Sequence, residues 1–277
     1  QLELPPVKET LDRPALQPQA ADPAADPLPL DRDRLIQAFR IIHTSRRIDD
    51  REILLKRQNK IFFQISAAGH EAIQTAAAFA LRPGHDWVYT YYRDRALCLA
   101  LGISPEDMLL EAVGAASGPF SGGRQMPSHW SSVPLHLVAG SSPTGTQFTQ
   151  AVGCAHASRY LNHNDEITLV TTGDGATSEG EFWESLNVAC LDQLPVLFLV
   201  QDNGWAISVP VEHQTAGGNI ARLVSNFPHL LTLETDGCDF LASYRTMSEA
   251  VRYVRSGQGP ALVRASCIRP YSHSLSD

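Results

Sequence analysis

Short runs of consecutive apolar residues alternate along this chain with longer stretches whose apolar positions return every three or four residues. The runs are WVYT at 87–90, ITLVTT at 167–172, LPVLFLV at 194–200, LLTLETD at 230–236 and ALVRAS at 261–266. Mostly apolar, they predict strands buried on both faces. Helical spacing links Leu35, Ile36, Phe39, Ile42, Ile53 and Leu54 on the way to Lys60, and further helices are predicted over 148–161, 181–191 and 244–255. Buried strands separated by helices predict an α/β fold, a largely parallel sheet with helices on both faces. No internal repeat is visible.

Two of the apolar runs stop abruptly in polar turns, the first at Gly173-Asp174-Gly175 and the second at Asp202-Asn203-Gly204, with Asn203 29 residues beyond Asp174. In a parallel sheet, ligands bind outside the carboxyl ends of the strands. The glycines beside Asp174 let the backbone approach a bulky group, and backbone amides at a helix start receive phosphate. Asp174 and Asn203 then supply two hard oxygens, which suits Mg²⁺ shared with a diphosphate.

Residues 1–30 differ in character: they hold seven of the eighteen prolines and little periodicity, which predicts an extended arm ahead of one domain over 31–277. The net charge of −8 offers no bulk electrostatic grip on nucleic acid or an anionic membrane. No apolar run reaches the ~20 residues of a membrane span. Five scattered cysteines without a CxxC pair argue against a disulfide framework or structural zinc, and for a reducing compartment. The chain lacks GxxxxGK[ST] and a GxGxxG after a strand, which weighs against a nucleotide-binding regulatory module.

The segment GDGATSEGEFWESLNVACLDQLPVLFLVQDNGWAIS resembles the thiamin-diphosphate motif, which opens on GDG or GEG and closes on an Asn pair. From about Asp31 onward the chain is similar to the alpha chain of the decarboxylating component of the 2-oxo acid dehydrogenase complexes. The resemblance implies a thiamin-diphosphate-binding fold. It also implies Mg²⁺ held by Asp174, Asn203 and the backbone carbonyl of Trp205, with the cofactor against Gly173, Gly175 and Ala176. Asp202 stands where the family commonly has the first Asn of the pair.

Other segments carry the same resemblance. YYRDR places Tyr92 and Arg93 where the family holds the diphosphate, and a guanidinium fork matches phosphate. AGSSPTGTQ resembles the loop that lies against the cofactor, with Ser142 and Thr144 on the cofactor side. Branched-chain members bind K⁺ there, at the positions of Ser141, Thr146 and Gln147. RPYSHSLSD resembles the mobile active-site loop, with His273 as the catalytic and cofactor-contacting histidine. In that loop Ser274 stands where animal homologues are phosphorylated, and Arg269 and Asp277 match residues that order it.

Together these imply oxidative decarboxylation of a 2-oxo acid, with acyl transfer to a lipoyl-bearing acyltransferase component. GRQMPSHW and DNGWAIS are closer to the branched-chain members than to the pyruvate members, and Phe63 matches a residue of the substrate pocket. A related enzyme acting on pyruvate or acetoin is the alternative. The glutamate that activates the cofactor belongs to a beta chain in this family, so a beta subunit or fused beta domain, in an α₂β₂ assembly, is the expected partner. The expected location is the cytoplasm of a bacterium, or the mitochondrial matrix of a eukaryote.

Overall fold

The computed structural model describes residues 30–163 and 165–275. The proline-rich arm, apart from Leu30, and Asp277 lie outside the described residues. Six strands form one sheet in which every pairing is parallel: β1 (Trp87–Tyr89), β2 (Leu137–Val138), β3 (Thr168–Gly173), β4 (Val196–Asp202), β7 (Leu231–Asp236) and β8 (Ala261–Ser266). Their order across the sheet is β2-β1-β3-β4-β8-β7, and β5 (Trp205–Ala206) pairs antiparallel with β6 (Val209–Pro210) in a small hairpin.

Eight α-helices are described: α1 (Arg32–Arg57), α2 (Glu71–Ala80), α3 (Arg95–Leu101), α4 (Pro105–Ala112), α5 (Thr146–Tyr160), α6 (Gly180–Leu191), α7 (Ile220–Val224) and α8 (Phe240–Arg255). Successive strand residues feed opposite cores, as the two-residue side-chain period requires. Leu169, Leu197, Leu199 and Val263 pack with Ile73, Leu97, Met247 and Val251, the side of α2, α3 and α8. Val170, Phe198, Val200 and Leu262 pack with Phe148, Phe182, Leu186 and Ile220, the side of α5, α6 and α7. Burial on both faces is why β3 and β4 read as unbroken apolar runs, whereas the edge strand β7 is only partly buried and carries Thr232, Glu234 and Asp236 between its apolar residues.

Helix starts follow capping chemistry. The Asp31 carboxylate accepts the Arg34 N–H at 2.8 Å, and Asp239 accepts those of Leu241 and Ala242, so α8 begins four residues ahead of the predicted 244. The helical reading of 35–60 holds, but its apolar stripe does not face the core. Leu35, Ile36, Phe39 and Leu54 are exposed, whereas the buried side of α1 carries Ser45, Asp49 and Glu52 beside Ala38 and Ile48. Asp49 and Glu52 both pair with the buried guanidinium of Arg95. Among the described residues, no helix is long and apolar enough to cross a membrane.

Candidate functional site

The chain leaves β1 toward β2 on one side and returns to β3 on the other, so the carboxyl ends of β1 and β3 flank a topological switch point. Ligand crevices form at such places in doubly wound sheets. Tyr92 and Arg93 follow β1, Asp174 follows β3, and Asn203 follows β4, three neighbouring strands in the sheet. Asp174 and Asn203 are directly joined, the Asn203 backbone N–H donating to Asp174 Oδ1 at 3.3 Å. Gln214 donates to the other carboxylate oxygen at 3.2 Å.

Asp174 is buried, and none of the described ion pairs includes it. Burial, reinforced by the nearby Asp202 charge, pushes its carboxyl up to about 6. Arg93 presents the opposite case, a guanidinium only 2% exposed that is likewise in none of the described ion pairs. It donates to the backbone carbonyl of Ser66, sits over the Tyr92 ring at 5.3 Å, and leaves its Nε with no partner among the described residues. The buried Tyr91 hydroxyl also lacks one there, and its ring comes within 3.8 Å of a Cβ built on Gly173.

Asp174 feels the charge of Arg269, and Arg93 that of Asp94, yet neither makes a described salt bridge, and buried charges so placed favour a further opposite charge. A divalent cation together with a diphosphate would supply the complement of both. The chemistry of Asp174, Asn203 and Arg93 is compatible with a metal–diphosphate group.

The tail closes over this end of the sheet. Arg93 Nη2 lies 3.3 Å from Nδ1 of His273, and the His273 ring meets Tyr92 edge-on at 5.9 Å between centroids. Arg269 donates to the Ile207 carbonyl in the hairpin loop at 2.6 Å, and the Leu275 N–H reaches the carbonyl of Gln64. Ser274 is buried. The route of the tail depends on Gly69, with φ of 86° and so close a neighbour that an added Cβ would lie 2.1 Å from the Ile268 carbonyl oxygen.

Asp202 turns away from the crevice. Its carboxylate accepts from Arg264 Nε at 2.7 Å and from the Gly204 N–H at 2.9 Å, and Arg264 reaches on to Glu234. Gly175 and Ala176 open a short 3-10 turn, and a Cβ on Gly175 would come within 2.8 Å of Ala206 in the hairpin. Trp205 begins that hairpin, and its N–H caps the Asn203 side-chain oxygen.

In the loop before α5, Ser142 and Thr144 are exposed, the Thr146 hydroxyl donates to the Pro143 carbonyl, and Gln147 donates to the Thr171 carbonyl. Ser141 is half-buried in the same loop, as is Phe63 in the segment after α1.

Two histidines gain partners that the sequence did not indicate. His129 Nε2 lies 2.8 Å from the Ser142 hydroxyl while its Nδ1 faces the Pro127 carbonyl. His70 Nε2 lies 3.0 Å from the Asn203 side-chain nitrogen. Burial first, then the Arg93 charge, hold His70 down to about 3, so its ring is neutral. A buried bed of hydrogen bonds lies beneath: Gln74 donates to the Arg93 carbonyl and to Gln201, which donates to Asp94.

Residues 40–277 match the model of the family described as dehydrogenase E1 component. The chain is similar to the 2-oxoisovalerate dehydrogenase subunit alpha of Bacillus subtilis, 39% identical over 87% of this chain and 73% of that protein. It is 36% identical to the 3-methyl-2-oxobutanoate dehydrogenase subunit alpha of Mycobacterium tuberculosis, over 90% of this chain and 64% of that one. A mitochondrial 2-oxoisovalerate dehydrogenase subunit alpha of Caenorhabditis elegans is also 36% identical, over 80% of this chain and 51% of its own length. The chain thus spans between about half and three quarters of these relatives, and it belongs to the dehydrogenase E1 component family.

Proposed function

We propose that the chain is the alpha part of an enzyme that oxidatively decarboxylates a branched-chain 2-oxo acid with thiamin diphosphate and Mg²⁺, then passes the acyl group to a lipoyl domain. The observation that carries this reading is the pair of buried charges, Arg93 and Asp174, at adjacent strand ends, neither of them in a described salt bridge. When bound, thiamin diphosphate supplies a carbon nucleophile and an electron sink for the decarboxylation.

The chain's own residues would do the binding and the proton handling. Asp174, Asn203 and the Trp205 carbonyl hold Mg²⁺, and Tyr92 and Arg93 grip the diphosphate, with Gly173, Gly175 and Ala176 letting the backbone come close. Ser142 and Thr144 lie along the cofactor, and Ser141, Thr146 and Gln147 hold a K⁺ ion that fixes their loop. His273, beside Arg93 and Tyr92, stabilises charge or moves a proton at the reacting end, for which an imidazole suits neutral pH. Phe63 lines the substrate pocket. Phosphate on Ser274 would put nearly two negative charges near the diphosphate, and because Ser274 is buried a kinase would need the tail to lift.

The names of the relatives in Bacillus subtilis and Mycobacterium tuberculosis support a branched-chain substrate. A beta chain or beta domain would complete the site. The exposed Leu35, Ile36 and Phe39 on the first turns of α1 support such an assembly, since exposed apolar surface marks interaction sites. An α₂β₂ enzyme of this kind acts in the bacterial cytoplasm or the mitochondrial matrix.

The test is turnover of the chain assembled with its beta partner. Decarboxylation should require both thiamin diphosphate and Mg²⁺, and kcat/KM for 3-methyl-2-oxobutanoate should exceed that for pyruvate by about tenfold or more, a difference of ~1.4 kcal/mol. Calorimetry showing tight binding of ATP or NAD, and none of thiamin diphosphate, would overturn the reading.

A further inference from the structure

Asn203 is held at both ends of its amide. The side-chain oxygen accepts the Trp205 backbone N–H at 3.2 Å, and the side-chain nitrogen lies 3.0 Å from His70 Nε2. A backbone N–H only donates, so the amide atom facing Trp205 is the oxygen and the one facing His70 is the nitrogen. Nε2 therefore carries no proton and accepts. On the far side of the ring Nδ1 lies 3.2 Å from the Ala68 carbonyl, which only accepts, so the single ring proton sits on Nδ1. Two backbone groups of fixed polarity thus determine the tautomer of His70 and the sense of the Asn203 amide together.

His70 is held firmly enough to serve as this reference. It is fully buried, it precedes α2, and the Gln74 N–H closes back on its carbonyl. On its other side Gly69 is pressed against Ile268, and the Gly69 N–H donates to Glu71. With the ring itself fully buried and its Nδ1 held at the Ala68 carbonyl, it is poorly placed to follow a turning amide.

We propose that His70 is a positioning residue for the divalent metal: by accepting from the Asn203 side-chain nitrogen it keeps the amide oxygen turned toward the cation. This rests on the reading of Asn203 as a metal ligand. An amide oxygen has two lone pairs, so one can serve the Trp205 N–H while the other faces the ion. Rotated by half a turn, the amide would point two N–H donors at a cation and give up both present hydrogen bonds. His70 and Trp205 together exclude that rotamer. The role lies in the metal-ligand shell and not with the reacting atoms, as outer partners of metal ligands commonly do.

The experiment measures the Mg²⁺ concentration needed for half-saturation of thiamin diphosphate binding, by calorimetry on the assembled enzyme. His70→Leu, which cannot accept, should raise that concentration at least tenfold. His70→Gln, whose side-chain carbonyl can accept the same hydrogen bond, should stay within about threefold of the natural protein. Equal effects in the two variants, large or small, would overturn the proposal.

Asp174→Asn serves as the reference for the underlying reading. If Mg²⁺ dependence survives there unchanged, that reading fails and the inference fails with it. If it is lost in Asp174→Asn yet kept in His70→Leu, the positioning role alone is overturned. Should His70→Leu not fold, the tautomer still decides the matter. In ¹⁵N-histidine-labelled assembled enzyme studied by solid-state NMR, the ring signal missing from His70→Gln should belong to an imidazole protonated on Nδ1. A ring protonated on Nε2 would overturn the proposal.

Discussion

Arg93 Nη2 and His273 Nδ1 lie 3.3 Å apart although 180 residues separate them in the chain. Arg93 also donates to the His273 carbonyl from both terminal nitrogens at 3.5 Å, so one guanidinium fixes the ring and the backbone of the tail. The residue proposed to hold the diphosphate is therefore also the residue that seats the proposed catalytic histidine. Binding of an anion at Arg93 would be coupled to the seating of the tail through that shared side chain.

Arg93→Lys should consequently do two things at once. It keeps the charge but loses the planar fork, so affinity for thiamin diphosphate in the assembled enzyme should fall at least tenfold, or ~1.4 kcal/mol. The tail over 268–275 should also become more sensitive to protease, because an ammonium cannot serve the carbonyl and the ring together. Calorimetry reads the first effect and limited proteolysis the second. Normal affinity with a protected tail would show that the fork serves neither purpose.

Asp174→Asn separates function from stability. The buried carboxylate has Gln214 and the Asn203 N–H as hydrogen-bond partners and enters no described salt bridge; burial and the like-charged neighbour Asp202 outweigh the favourable charge of Arg269. Without bound metal, an amide at this position removes a desolvated charge. The ligand-free variant should therefore be more stable, by on the order of 1 kcal/mol, a rise of a few degrees in Tm. Metal-dependent cofactor affinity should fall at least tenfold in the same protein. A variant that loses stability along with affinity would point to a structural role for Asp174.

Much of this was legible in the sequence, and the reasons are particular. β3 and β4 lie inside the sheet, so their buried faces wrote continuous apolar runs, and the breaks at Asp174 and Asn203 marked the strand ends. What stayed hidden depends on partners distant in the chain. EAIQTAAAFA gave no helical signal because α2 is buried almost all round and shows no polar face. Asp49 and Glu52 sit on a helix rich in charge, where an acid reads as solvated, and only Arg95 reveals them as interior. His70 offered no signal at all, since its partner Asn203 is 133 residues away.

The Asp49–Arg95–Glu52 cluster makes stability depend on pH. One guanidinium faces two buried acids, and Asp49 alone can balance it. Burial, against the pull of Arg95 and with the push of Asp49, raises Glu52 from 4.5 to about 7. A carboxyl whose folded pKa exceeds its unfolded one binds a proton on folding between those values, so its contribution to stability declines as pH rises from about 4.5 to 7. Glu52→Gln removes that decline. Relative to the natural protein, the Tm of the variant should improve steadily from pH 5 to pH 7 and level off above. Parallel Tm curves across that range would show that Glu52 stays ionised throughout.

Asp202 tests whether an acid beside the crevice is a ligand or a strut. It precedes Asn203 in the turn, yet both its oxygens are committed: Oδ2 accepts from Arg264 and Oδ1 from the Gly204 N–H. Its backbone carbonyl accepts the Cys267 N–H at 2.7 Å, so Asp202 ties the end of β4 to β8 just where the tail begins. Asp202→Asn should thus cost stability. Removing one partner of a buried ion pair costs about 3–5 kcal/mol, but Arg264 keeps Glu234 and is partly solvated, which brings the expected loss down to ~1–3 kcal/mol. The Mg²⁺ concentration for half-saturation of cofactor binding should stay within about threefold of the natural protein, in contrast to Asp174→Asn. Denaturant unfolding and calorimetry on one preparation supply both numbers, and a loss of metal dependence matching that of Asp174→Asn would make Asp202 a ligand after all.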